Sequence, residues 1–197
     1  MYALARILSI LLILVGLGLL LYGGNELLQS YMKENERLEE ARAFISEETK
    51  TVDEAADVDY HFEHGETIGM LYIPRFDREL PIVEGTEPED LKEGVGHYIK
   101  TGYPGQNRQI LLSGHRDTVF RNFDELEPGD EFHIKMEHGT FIYEFADNEI
   151  VGADDTTVID LERKEEYLTI STCYPFSYVG NAPNRYIIYA YPKEDVN

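Results

Sequence analysis

Apolar residues fill the start of the chain almost without a break. No charged residue occurs between Ile7 and Asn25, and positions 7–21 are almost wholly Leu, Ile, Val and Gly. That run approaches the ~20 residues a helix needs to cross a hydrocarbon core, so the pattern predicts a membrane-spanning anchor. A cleaved signal peptide is the alternative. The run is longer than the roughly 7–15 apolar residues of such a segment, and no A-x-A-like site follows it. Arg6 precedes the span, whereas 26–66 is dominated by Glu and Asp. Because cationic flanks stay in the cytoplasm, the expected topology is single-pass, with the N-terminus inside and the remainder outside the cell.

From Asn25 to about Glu48 the pattern turns helical. Leu27, Tyr31, Leu38, Ala41 and Ile45 recur at helical spacing between Glu, Lys and Arg. Such a segment is a stalk, a helix docked on the following domain, or a solvated spacer. Residues 51–66 are acidic and aperiodic and read as linker. Beyond Thr67 the texture changes to short strands bounded by Gly, Pro and Asp: 67–73, 80–83, 109–113, 131–136, 140–151, 167–171 and 185–191. Alternation is clearest in Phe132-His-Ile134-Lys-Met136, which faces Phe141-Ile-Tyr-Glu-Phe145 across His138-Gly139 and predicts a hairpin. Short helical turns fit 89–93 and 119–125. Seven or eight short strands with only brief helices predict a mainly β domain, either a closed barrel or a sandwich. The chain thus divides into an anchor at 1–25, an acidic helical stalk and linker at 26–66, and an extracytoplasmic domain at 67–197.

Charge narrows the partners. The chain has 197 residues, 17 basic against 38 acidic, for a net charge of −21. Nothing is left over to displace counterions from a nucleic-acid backbone, so no nucleic-acid partner is expected. Docking on anionic lipid through a basic patch is excluded on the same ground. Hydrophobic residues make up 43% of the chain, enough for a packed core.

The chain has one cysteine, Cys173. It can form no internal disulfide and belongs to no multi-cysteine zinc site. A lone Cys is either a small buried hydrophobe or a nucleophile, and its neighbours decide. Cys173 follows the strand Tyr167-Leu-Thr-Ile-Ser-Thr172 and precedes Tyr174-Pro175, where ladder pairing ends. That position, where a strand stops and a loop opens, suits an accessible thiol. An unperturbed thiol, with pKa about 8.5, is little ionised at neutral pH and needs a base or a cation beside it. His115 lies just past another strand, in Leu111-Leu-Ser-Gly-His-Arg-Asp117. Arg185 opens the last strand, at a separation from Cys173 that lets a loop return an antiparallel partner. Nucleophile, acid/base and a cation that cannot lose its proton would together make an acyl-transfer site.

The local strings sharpen this. Thr169-Ile-Ser-Thr-Cys173 resembles the T-L-x-T-C signature of sortases, the membrane-anchored cysteine transpeptidases of Gram-positive bacteria. Gly114-His115-Arg116 matches the family's histidine segment, and Arg185 its arginine a short loop after the cysteine. Gly94-Val-Gly-His-Tyr98 and Pro104-Gly105 are also similar, so the resemblance runs from about Thr67 to Tyr191. Cys-Tyr-Pro-Phe after the strand and His-Arg-Asp-Thr at the histidine look most like class D. The resemblance implies an eight-stranded β-barrel acting on surface proteins whose C-terminal sorting signal reads L-P-x-T followed by Gly or Ala. Cys173 would attack the Thr carbonyl and form a thioester, which a peptidoglycan-precursor amine resolves. His115 would move the protons, and Arg185 would hold the substrate and the oxyanion. Thr172 and Asp117 are weaker candidates, Thr172 for a bond to substrate or oxyanion and Asp117 for orienting the imidazole. Two rivals remain: a cysteine peptidase that gives the acyl group to water, and a non-catalytic barrel that binds wall material.

Other features carry less. His61 and His64 lack a third metal ligand at suitable spacing, and His97 reads as structural. Asp154, Asp155, Asp160 and Glu162 could gather around Ca²⁺, but their spacing fits no EF-hand loop. No cofactor is expected.

Overall fold

The computed structural model describes residues 2–45, 58–177 and 180–193. One α-helix, α1 (Tyr2–Phe44), carries the apolar run and the amphipathic segment without a break. The expected helix end near Glu48, and the linker up to residue 57, lie outside the described residues. Eight strands follow: β1 (Thr67–Ile73), β2 (Arg78–Glu84), β3 (Val95–His97), β4 (Gln109–Gly114), β5 (Glu131–Met136), β6 (Gly139–Gly152), β7 (Tyr167–Tyr174) and β8 (Asn184–Pro192). A one-turn helix, α2 (Asp90–Glu93), precedes β3. The strands close into a barrel in the order β1-β2-β3-β4-β7-β8-β6-β5. Closure leaves the sheet no edge, which decides for the barrel over the sandwich.

Side-chain alternation explains the closure. In β5, Phe132, Ile134 and Met136 point inward and are buried, while Glu131, His133 and Lys135 face outward. Met136 pairs with Gly139, so Glu137 and His138 alone turn the chain into β6. Phe141, Tyr143 and Phe145 of β6 join Leu168 and Ile170 of β7 and Ile188 and Ala190 of β8 in the same core. β3, only three residues long, is missing from the strands expected from the sequence; two of its residues flank Gly96 and carry too little pattern to stand out.

β1 and β2 break the alternation, since nearly every residue in them is buried. The reason is α1, whose C-terminal half packs on both strands. The helix turns Ser30, Glu34, Arg37, Leu38 and Ala41 toward the barrel, and Ala41 is fully buried. Strands covered on both faces read as continuous apolar runs. Ion pairs fix the helix along its length: Lys33 Nζ and Arg37 Nη2 each lie 2.8 Å from the Glu93 carboxylate, and Arg42 reaches Glu79. The Thr67 hydroxyl donates to Glu40 at 2.7 Å. Leu27 and Tyr31 of the expected stripe are instead mostly exposed, because the docked face is centred on Glu34 and Ala41.

Tyr60, in the segment read as linker, enters the core and donates its hydroxyl to Pro104 O at 3.2 Å. Glu166 is buried as well. Its carboxylate accepts the backbone N–H groups of Gly105 and Asn107 and the hydroxyl of Tyr143, at 2.8, 3.2 and 2.7 Å. A charge so supplied with donors is tolerated in the interior, and it ties the 104–107 turn to the barrel.

Candidate active site

β4 and β7 run parallel and finish together, at the point where β8 begins. In register, Gly114 lies beside Thr172, and Cys173 lies opposite Arg185. Directly opposed residues of an antiparallel pair project to one face, so thiol and guanidinium share a face by construction. The even-numbered Ile110, Leu112, Leu168, Ile170, Ile188 and Ala190 point into the core. Odd-numbered neighbours therefore point outward, which puts Cys173 and Arg185 on the outer surface. His115 follows directly on Gly114, whose partner in the parallel ladder is Thr172, the residue before Cys173. Three adjacent strand ends thus carry a thiol, an imidazole and a guanidinium. Cys173 is half-buried. The sequence puts it just past its strand; the ladder instead runs on to Tyr174, because Asn184 and Arg185 are there to pair with it.

Local packing explains the path around His115. A Cβ on Gly114 would come within 2.6 Å of Phe120 Cε2 and 2.8 Å of Val119 Cγ2. Only glycine lets the Phe120 ring seat there, and the chain then folds back so that Phe120 N donates to His115 O at 2.9 Å. The hydroxyl of Thr172 donates to Gly114 O at 2.8 Å. That bond spans the two parallel strands, so the side chain pins β7 to β4 beneath the site. Arg185 Nη1 lies 3.1 Å from Asn184 O and 3.4 Å from Ala182 O. Those bonds orient the guanidinium through one of its nitrogens.

Burial pushes the His115 imidazole below its ordinary pKa of 6.5; the charge of Asp117 opposes this and that of Lys92 adds to it. The Asp117 side chain is exposed and lies 3.5 Å from Arg116 Nε, so it acts on the imidazole through charge. Arg116 was unassigned in the sequence although it belongs to the Gly-His-Arg string. It is buried, and it donates to Pro175 O at 3.1 Å and Gly180 O at 3.3 Å. The residue next to the histidine thereby clamps the loop that follows the cysteine. Phe176 packs edge-on against Tyr186 at 5.2 Å and adds an apolar contact to that loop.

Two cavities flank these residues. One of about 400 Å³ lies between α1 and the turn carrying His115. The other, of about 430 Å³, is lined by Tyr174, Pro175, Phe176 and Tyr186. His97 is remote in role: its ring nitrogens lie 2.8 Å from Glu84 Oε2 and 3.0 Å from Gly102 O inside the barrel. Asp155 and Asp160 accept hydrogen bonds from residues just after them, Thr157, Glu162 and Arg163. Among the described residues no three His, Cys, Asp or Glu side chains form a metal-holding group.

A sortase-domain family model matches residues 71–193. Sortase D of Bacillus subtilis (strain 168) is 44% identical over 191 residues, covering 93% of this chain and 96% of that protein. A Clostridium perfringens Sortase D5 transpeptidase superposes with a TM-score of 0.67 at 26% identity, over 83% of this chain and 99% of that one. The catalytic domain of B. anthracis SrtD gives 0.58 at 37% identity, over 70% and 95%. With its closed barrel and lone cysteine at the strand junction, the chain belongs to the sortase family of cysteine transpeptidases, in class D.

Proposed function

We propose that the protein cleaves an L-P-x-T-type sorting signal after Thr and joins the upstream protein to a cell-wall amine. The Cys173 sulfur attacks the Thr carbonyl, and Arg185 stabilises the oxyanion. The C–N bond breaks as His115 protonates the leaving amine, leaving a thioester on Cys173. An incoming amine then attacks the thioester carbon: the C–N bond forms, the C–S bond breaks, and a proton passes from the nitrogen through His115 to the released sulfur. The chemistry draws on side chains alone. The observation that carries this reading is the register that sets Cys173 opposite Arg185 and pairs Thr172 with Gly114, the residue before His115. Because thiol and imidazole titrate as a coupled pair, rate against pH is expected to be bell-shaped. The apolar start of α1 supports a single-pass anchor, and Arg6 before it with the acidic segment after it supports an N-terminus in the cytoplasm and the barrel outside.

The full-length protein in detergent micelles tests this. It is incubated with L-P-x-T-A and L-P-x-T-G peptides, with and without an amine acceptor, beside a Cys173→Ala variant. The expected result is a Cys173-dependent acyl adduct by intact mass and an amine-ligated product ending in Thr. Free acid alone, even at high acceptor, would make the protein a peptidase; no adduct from either peptide would refute the substrate class.

A further inference from the structure

The cavity beside His115 has an unusual wall. One side is the turn after β4, and the other is α1 itself, through Tyr31 and Glu34. Charges of both signs line it: the Glu34 carboxylate on the helix, and Arg78 and Arg121 on the barrel. Both guanidinium groups are anchored to the turn following His115, Arg78 Nη2 by Thr118 O at 2.7 Å and Arg121 Nη2 by Asp117 O at 2.9 Å. An anchored guanidinium still has donors to offer. Lys92 also faces the cavity, but it lies 3.0 Å from Glu89 and 3.6 Å from Glu26 and is largely satisfied. Burial raises the Glu34 carboxyl above its ordinary value, and the charge of Arg78 only partly opposes this. The carboxylate therefore gains from a second cation placed in the cavity.

Location adds to this. Asn25, the last residue of the uncharged run, stands six positions before Tyr31 and nine before Glu34 on one continuous helix. At about 1.5 Å per residue the cavity lies within roughly 15 Å of the end of the apolar segment. A group tethered at the membrane surface reaches it.

We infer that this cavity is the acceptor subsite, and that it takes a zwitterionic amine whose ammonium meets Glu34 and whose carboxylate meets Arg78 and Arg121, so that α1 is part of the site as well as a tether. The inference rests on the transpeptidase reading above. The bound ammonium gives one proton to His115, and the freed nitrogen lone pair attacks the thioester carbon. The C–N bond forms, the C–S bond breaks and its electrons return to sulfur. The new amide nitrogen releases its extra proton to water, and the imidazolium returns its own to the thiolate.

The test is the partition of the acyl-enzyme between amine and water, which does not depend on how much protein is folded. Full-length protein in micelles is acylated with a sorting-signal peptide and offered diglycine or diglycine amide. The two amines differ in the terminal carboxylate, set a peptide bond away from the nucleophile. Wild type is expected to prefer diglycine by about tenfold. Glu34→Gln should lower the amine-to-water ratio for both acceptors by about tenfold, with Glu34→Asp recovering part of it. Arg78→Gln combined with Arg121→Gln should erase the preference for diglycine over its amide. Unchanged ratios in these variants, with acyl-enzyme still forming, would overturn the acceptor subsite and leave the transpeptidase intact. A higher ratio in Glu34→Gln would also overturn it, since the helix would then be an obstruction. Absence of any acyl-enzyme in wild type would refute the reading on which the inference rests.

Discussion

Two hairpins of the same barrel are closed in different ways. β5 and β6 are joined by Glu137 and His138 alone, and every ladder pair from Glu131–Glu144 to Met136–Gly139 is in step. β7 and β8 are also antiparallel neighbours, yet residues 175–183 separate them. That connection is held from outside, by Arg116 on the carbonyls of Pro175 and Gly180 and by Phe176 against Tyr186. The first hairpin needs only local turn chemistry. The second depends on a side chain from another strand end, and it is where nucleophile and cation sit. Reactive groups are placed where the chain is long enough to be shaped by the rest of the fold.

Breaking the clamp should have the largest effect. Arg116→Ala is expected to lower kcat/KM for the sorting-signal peptide by about 100-fold, since a misplacement of order 1 Å in a positioned site costs that much. Arg116→Lys should recover little, because one ammonium cannot span two carbonyls as a guanidinium fork does. Equal kinetics in wild type and Arg116→Ala would mean that the loop holds its own shape. Gly114→Ala comes next: overpacking against Phe120 should destabilise the fold by about 1–3 kcal/mol in urea titrations and slow turnover by shifting His115. An unchanged denaturation midpoint would show that the Phe120 ring moves aside at no cost.

A smaller effect resolves the electrostatics of the same turn. Asp117 raises and Lys92 lowers the His115 pKa, against the dominant lowering by burial. Removing the carboxylate in Asp117→Asn should move the imidazole midpoint further down, and removing the ammonium in Lys92→Gln should move it up. The titration is followed by NMR in a Cys173→Ala background, so that the thiol no longer couples to it. Shifts in the reverse directions would place these charges elsewhere. The smallest effect belongs to the other hairpin: Glu137→Ala is exposed and should leave stability within about 0.5 kcal/mol and activity unchanged.

Legibility follows the same division. Strand β5 was readable residue for residue because its outer face meets water and its inner face meets the core, so the pattern alternates. β1 and β2, covered by α1, could be recognised only as apolar runs, and β3 is too short to show a period. In the candidate site, Cys173, His115 and Arg185 were singled out by the short strings around them, which resemble sortase motifs. Glu166 and Arg116 were not assigned a role, because a buried charge and a surface charge look alike until their partners, here Gly105, Asn107 and Tyr143, or Pro175 and Gly180, are brought in from far along the chain.

The sequence by itself determined the apolar span and the β texture beyond Thr67, since each is a matter of composition and short-range period, while Cys173, His115 and Arg185 were singled out by short strings that resemble sortase motifs. Tertiary structure decided that the strands close into a barrel, that Cys173 faces Arg185 across one ladder, and that the Thr172 hydroxyl donates to Gly114 O. It also decided that the acidic stretch of α1 lies along the barrel and walls the cavity beside His115. These depend on register and on contacts between residues distant in the chain, which a local pattern does not encode.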